Sequence, residues 1–254
     1  VIRYALLGLL QGLTEFLPVS SSGHLVLAQA ALGVDAPGAA LEAAVHLGTL
    51  LALLLHFRRD LTHLVVRAGQ RGEEQRYIGY LALGTLPVAV VGLLARGPIE
   101  RAFASPSLVG GMLLVTALAL LLGDRCAGRA ARERVRLRDA LAVGVAQAVA
   151  LLPGISRSGS TLTMGIGLGL RPTVAARFSF LLAIPAVAGG SLFALLGAMT
   201  EPGLDWIGLA VAMGCALGSG LITIRAFLHI VRSGVLWPFA LYCAVLGGAA
   251  LVMG

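Results

Sequence analysis

Of the 254 residues in the chain, 58% are hydrophobic and only 12% charged. A soluble domain carries about a quarter charged residues, so this composition excludes one and points to an integral membrane protein. The formal net charge of +7, carried entirely by arginine among the cations because lysine is absent, is accounted for by cytoplasmic loops under the positive-inside rule, and nucleic acid is not an expected partner.

Residues 2–17 form an apolar run about 24 Å long as a helix, which ends in Pro18 and a polar stretch. Residues 24–32 are apolar again but too short to span alone. The pair reads as a helical hairpin that enters the membrane and returns, its broken backbone buried in protein, and not as a cleavable signal peptide. A single kinked helix over 2–32 is the competing reading. Apolar runs follow at about 39–57, 78–95 and 107–123. Arg58, Arg59, Arg67, Arg71 and Arg76 crowd the island after the first of these, and Arg125, Arg129, Arg132, Arg134, Arg136 and Arg138 the island after the third. Two spans separate the islands, so both belong on one face, the cytoplasm. The Asp35 turn and the loop 96–106 are then external.

Residues 139–170 repeat the broken-hairpin pattern, and runs at about 172–198, 205–224 and 236–253 complete the chain. If the second hairpin also returns, Glu201 and Asp205 lie outside and Arg225 and Arg232 inside, as the charge rule prefers. Trp206 and Trp237 stand at span ends, where interfacial aromatics belong. Cys126, Cys215 and Cys243 are odd in number and show no paired spacing, which supports neither a disulfide framework nor a zinc site. The expected fold is an all-α polytopic membrane protein, one integral membrane domain over 1–254, with six transmembrane helices and two re-entrant helical hairpins. Matching Gln11 to Gln147 aligns Ser20 with Ser156, Ser22 with Ser158 and Gly23 with Gly159 without a gap. The halves, about 1–123 and 139–254 around the basic loop 124–138, then form an inverted-topology internal repeat, an arrangement that places sites where broken helices meet near the midplane.

The two broken stretches carry the chemistry. Gln11 to His24 reads QGLTEFLPVSSSGH and Gln147 to Thr161 reads QAVALLPGISRSGST. Ionisable groups inside an apolar run are costly and mark a functional site by default. In the second stretch Ser156, Arg157, Ser158, Gly159, Ser160 and Thr161 put a guanidinium among hydroxyls and backbone N–H groups at a helix start, an anion cradle. Close helix packing by small residues is the plainer reading of Ser160 and Gly165, though not of Arg157. The first stretch supplies acid, base and nucleophile types. Ser20, Ser21 or Ser22 can attack phosphorus, His24 can take or give a proton, and Glu15 can orient the histidine or hold a divalent cation. One of the three serines is expected to be an N-cap. Gln11 lies one helical turn before Glu15 and shares its face. Glu42 and His46 have the same spacing, and for them cavity lining and interfacial snorkelling both remain open; His56, His63 and His229 read as solvated.

At these residues the sequence resembles the undecaprenyl-diphosphate phosphatases associated with bacitracin resistance. The resemblance runs over essentially the whole chain and rests on QGLTEFLPVSSSGH and PGISRSGST. It implies removal of the terminal phosphate of undecaprenyl diphosphate, which regenerates the monophosphate carrier for peptidoglycan synthesis, with Mg2+ or Ca2+ assistance. It further implies a bacterial inner-membrane location with the site open to the external side. Carried over residue by residue, the functional core is Glu15, Ser21, His24 and Arg157, with Glu15 as the metal ligand and Gln11, Ser20, Ser22, Ser156, Ser158, Gly159 and Thr161 around the phosphates. Gln11 stands where many members carry glutamate, and His46 where glutamine is expected. The expected partners are the isoprenoid diphosphate substrate and membrane lipid, with a homodimer left open. The rival from another class is an inverted-repeat transporter or flippase for an anionic prenyl-phosphate lipid, which would need Arg157 but no nucleophile.

Overall fold

The computed structural model describes residues 1–32, 39–69, 72–198 and 203–253. Asp35, Arg71 and Glu201, which entered the topology reading, lie outside the described residues. Among the described residues twelve α-helices follow one another: α1 (Ile2–Glu15), α2 (Ser21–Leu32), α3 (Ala39–His56), α4 (Arg58–Arg67), α5 (Glu73–Leu94), α6 (Arg96–Phe103), α7 (Pro106–Ala127), α8 (Leu137–Val149), α9 (Arg157–Gly167), α10 (Pro172–Ala198), α11 (Trp206–Ile230) and α12 (Trp237–Met253). Among the described residues the only extended pairing is one isolated bridge, Arg132 with Leu170.

Five of these helices, α3, α5, α7, α10 and α11, are long and apolar enough to cross a membrane. The chain is a multi-pass membrane protein. The last apolar helix, α12, is shorter, with 17 residues, about 25 Å at 1.5 Å per residue. Large side chains such as Leu118, Leu196, Ile222 and Val245 stand mostly exposed on these helices, which a hydrocarbon solvent tolerates and water does not. Trp206 and Trp237 are exposed at the starts of α11 and α12. Two short helices, α4 and α6, occupy segments expected as loops, and α5, α7 and α11 run past the ends of their apolar runs. A hydropathy reading marks where hydrocarbon ends, whereas hydrogen bonding carries a helix on into the charged interface.

Both broken stretches are helix–break–helix units. Pro18 has no N–H to continue α1, and Ser20 takes a left-handed backbone, φ 67°, before α2 begins. In the second unit Pro153 is followed by Gly154 at φ +93°, where an added Cβ would also press on the Val109 carbonyl. The backbone groups freed at the breaks find partners within the protein, as buried backbone groups must. Ser158 Oγ donates to the Leu17 carbonyl at 2.8 Å, and Cys243 Sγ reaches the Pro18 carbonyl from α12. Thr116 of α7 donates to the Gly154 carbonyl at 2.9 Å and accepts from the Ser156 N–H at 3.0 Å.

The halves interlock. Helix α1 packs on α11 and α8 on α5, while α3 meets α10 and α7 meets α12. Exchanging the first half for the second leaves this set of pairs unchanged. Glycines permit the close crossings: a Cβ at Gly12 would run into Ser219 and the Ala216 carbonyl, one at Gly144 into Gly84, and one at Gly110 into Gly247. An edge-to-face chain of aromatics, Phe16 to Phe180 to Phe227 to Phe239 with centroids 5.8, 6.0 and 5.9 Å apart, fixes the first break against α10, α11 and α12. The basic loop is pinned by Asp139. This fully buried carboxylate takes both terminal nitrogens of Arg132, at 2.5 and 2.9 Å, and caps the Arg136 N–H.

Candidate active site

The two breaks meet at a cavity of about 210 Å³. Its polar wall holds Glu15, Ser20, Ser21, Ser22, His46, Ser156 and Arg157, and its apolar wall includes Val88, Phe103, Leu151 and Val187. Helices α2 and α9 both begin here, and the first N–H groups of a helix have no intrahelical partner, so two positive dipole ends converge on one space.

Glu15 is the hub. Ser21 Oγ donates to its Oε2 at 2.5 Å, Gln11 Nε2 donates to the same oxygen at 2.9 Å, and the Arg157 guanidinium donates to Oε1 at 2.5 Å. The carboxylate is 6% exposed and the guanidinium 16%, so this is a buried pair from opposite halves of the chain. Gln11, wholly buried, stands behind Glu15. Its amide nitrogen also donates to His46 Nδ1 at 3.1 Å, which leaves the ring proton of neutral His46 on Nε2. Glu42, expected to share the face of His46, is exposed.

The serines divide by role. Ser20 Oγ accepts from the Gly23 N–H at 3.3 Å and Ser156 Oγ from the Gly159 N–H at 3.0 Å, so each is the N-cap of its helix. The same two pairs of hydroxyls meet in both halves, Ser20 with Ser22 at 3.3 Å and Ser156 with Ser158 at 3.2 Å. Ser21 alone of these faces a carboxylate. Ser158, Gly159 and Thr161 lie behind the cavity. Gly159 packs on Pro18, and Thr161 donates to the Arg157 carbonyl at 2.7 Å and meets Ser179 at 2.5 Å.

His24 is not on the cavity wall. Its Nδ1 donates to the Ser20 carbonyl at 2.7 Å, since a carbonyl only accepts, so the neutral ring presents a lone pair at Nε2. That lone pair accepts from the Tyr242 hydroxyl of α12, also at 2.7 Å, with the two rings parallel within 4°. Tyr242 was not found by sequence reasoning. Its only signal was a polar tip in an apolar run, which ordinary interfacial tyrosines share. In this arrangement His24 braces the left-handed turn at Ser20, while Ser21 engages Glu15.

Among the described residues no group of three His, Cys, Asp or Glu converges, and both Glu15 oxygens already accept hydrogen bonds. The protein offers a hard cation a single carboxylate here, Glu15, and the remaining oxygens would have to come from substrate and water. It does not form a protein-only cage. A larger cavity, about 810 Å³, lies between α4, α5, α10 and the basic loop. Much of its charge is internally paired, Arg177 with Asp60 and Arg134 with Glu73, and its lining includes no Ser or Cys nucleophile, so the smaller cavity is the candidate site.

The family of bacitracin resistance protein BacA matches residues 4–249. The chain belongs to that family. Undecaprenyl-diphosphatase 1 of Bacillus licheniformis is 40% identical over 263 residues, covering 99% of this chain and 97% of the relative. The undecaprenyl-diphosphatase of Geobacter sulfurreducens is 38% identical over 262 residues, with 99% and 97% covered. That of Idiomarina loihiensis is 37% identical over 253 residues, with 96% of each chain covered.

Proposed function

We propose that this chain is an undecaprenyl-diphosphate phosphatase that cleaves the terminal phosphate from the lipid and returns the monophosphate carrier to peptidoglycan synthesis. Family membership and the relatives' names support the substrate. The observation that carries the chemistry is the Ser21 hydroxyl held on Glu15 beside Arg157, at two helix N-termini. Ser21 Oγ attacks the terminal phosphorus while Glu15 takes its proton, and the bond to the bridging oxygen breaks with prenyl monophosphate leaving as the anion. Water then attacks the phosphoserine, Glu15 returns its proton to Ser21 Oγ as the Oγ–phosphorus bond breaks, and inorganic phosphate leaves as the dihydrogen anion with both protons of the water. Arg157 and the first N–H groups of α2 and α9 neutralise the non-bridging oxygens as charge moves between them.

A divalent cation, Mg2+ or Ca2+, would be held on the protein side by Glu15 and would supply further charge neutralisation to the phosphates. We read α1–α2 and α8–α9 as re-entrant hairpins beside six spans, with α12 the sixth. The exchange symmetry of the helix pairs and the matching serine caps support an inverted repeat. The arginine islands support a bacterial inner-membrane orientation with the site open to the periplasm, and membrane lipid surrounds the rest. A flippase would use the same cavity and Arg157, but it has no need of a hydroxyl poised on a carboxylate.

The test is phosphate release from undecaprenyl diphosphate by the purified protein, with and without chelator. Release that chelator suppresses and Mg2+ or Ca2+ restores is the expected result. No release under any metal condition would overturn the reading, and release indifferent to chelator would remove the cation alone.

A further inference from the structure

Buried polar atoms are almost always hydrogen-bonded, and each exception calls for a reason. Among the described residues the unpartnered buried side-chain atoms are Gln11 Oε1, both polar atoms of Gln147, and Ser191 Oγ. Gln147 of α8 is 1% exposed and Ser191 of α10 is 3% exposed, and both line the same cavity as Ser21 and Arg157. Gln147 stands at the position that matches Gln11 in the serine-aligned repeat. Four residues on, Gln11 finds Glu15 and donates to it, whereas the residue four beyond Gln147 is Leu151. One glutamine is thus committed to a carboxylate, while the other holds an idle amide against the cavity.

We propose that Gln147 and Ser191 form the subsite for the phosphate that stays on the lipid, with the Gln147 Nε2–H and the Ser191 hydroxyl donating to its non-bridging oxygens. The proposal rests on the phosphatase reading of the same cavity. Its chemistry follows from the division of charge in a prenyl diphosphate. The terminal phosphate carries the greater charge and meets Arg157. The inner phosphate, esterified on one side and anhydride-linked on the other, carries one, which neutral donors satisfy without gripping the product as a guanidinium would. Ala150, Leu151, Ala186 and Val187 adjoin these donors on the cavity wall and suit the first isoprene unit.

The experiment compares wild type, Gln147→Leu, Ser191→Ala and the double variant as full-length purified protein. It reads thermal stability without ligand, stabilisation by farnesyl monophosphate and by inorganic phosphate, and KM and kcat for the diphosphate lipid. An amide kept for a ligand contributes nothing to the empty protein, so Gln147→Leu should keep or raise the melting temperature. A glutamine wired into the fold through bound water would instead lose stability on this change. The expected result is about a tenfold weaker response to farnesyl monophosphate and a KM raised by about the same factor, with the response to inorganic phosphate unchanged. Unchanged farnesyl monophosphate binding in a folded Gln147→Leu/Ser191→Ala variant would overturn the subsite. So would a lowered melting temperature with KM intact. Gln147→Glu, which adds a charge in place of the amide, should lose farnesyl monophosphate binding altogether, and retained binding would again refute the assignment. Wild-type protein that releases no phosphate would sink the phosphatase reading instead, and the farnesyl monophosphate comparison would still decide the subsite.

Discussion

Replacing Ser21 and Glu15 singly and together tests the central pair. A positioned general base contributes about 10²–10⁴ in rate, so Glu15→Gln should lower kcat by that factor, about 3–5 kcal/mol at 1.36 kcal/mol per tenfold. Ser21→Ala should lose at least as much, because the attacking oxygen is gone. With the two side chains 2.5 Å apart, the base has one proton to take and the hydroxyl one acceptor to give it to. The double variant should therefore be no slower than the slower single, whereas independent effects would multiply to about 10⁴–10⁸. Glu15→Gln also strips the counter-charge from a guanidinium only 16% exposed. Breaking a buried pair from one side costs about 3–5 kcal/mol of stability, so each variant needs its melting temperature measured and its assay run well below it. The readouts are phosphate release in detergent and acid-quenched trapping of radiolabelled terminal phosphate on Ser21. Multiplicative losses, or a Ser21→Ala variant that keeps most of the wild-type rate, would refute the paired mechanism.

Arg157→Lys keeps the charge but loses the planar fork that can bind phosphate oxygens bidentately, so turnover should fall well over tenfold with folding preserved; near-normal turnover would take Arg157 out of the site. Tyr242→Phe leaves the Nε2 of His24, which is 8% exposed, without its donor. The cost should be about 1–3 kcal/mol, read as a lower melting temperature together with reduced turnover as the Ser20 turn loosens. Equal stability and rate would mean that the Tyr242 bond holds nothing. For orientation, the native Cys126 is exposed at the end of α7 and should resist a membrane-impermeant maleimide in intact cells, while a cysteine in place of the exposed Ala104 should react. The opposite pattern would invert the proposed topology.

The apolar runs exposed the spanning helices because length and hydropathy are what a membrane requires, and Pro18 and Pro153 announced the breaks because proline removes a donor. Local chemistry was legible too. That one of Ser20, Ser21 and Ser22 caps a helix could be read from a hydroxyl before an apolar helix, but which one it is, and that Ser156 caps its helix in the same way, came only from the structure. What the sequence hid is which neighbour each polar group meets. His24 lies three residues beyond Ser21, near it on one helix face, and was grouped with it, yet the imidazole meets Tyr242, 218 positions away, while Ser21 meets Glu15. His46 was left between cavity and interface, and only the packing of α3 against α1 brings it to Gln11. Gln147 looked like a repeat echo. Its significance lies in a missing partner, which no linear pattern displays.

The pairing of Glu15 with Arg157 ties assembly to catalysis. Each is an ionised group in a segment that is otherwise apolar, and an unpaired charge at membrane depth costs about 2.5–3.5 kcal/mol or more. Neither half of the chain can settle its own charge, so the ion pair forms only when the two breaks meet, and a correctly folded protein is one whose site is already built. The same contact prepares the reaction. In the empty site Arg157 has Glu15 as its anionic partner, and the entering diphosphate competes for the guanidinium with its own oxygens. On the mechanism proposed above, an Arg157 drawn to the phosphate would leave Glu15 without its counter-charge while Ser21 still donated to its other oxygen, so the carboxylate would be freed to draw the hydroxyl proton when a phosphorus is there to be attacked. Water admitted without substrate would then find the base still bound to arginine and the serine still protonated.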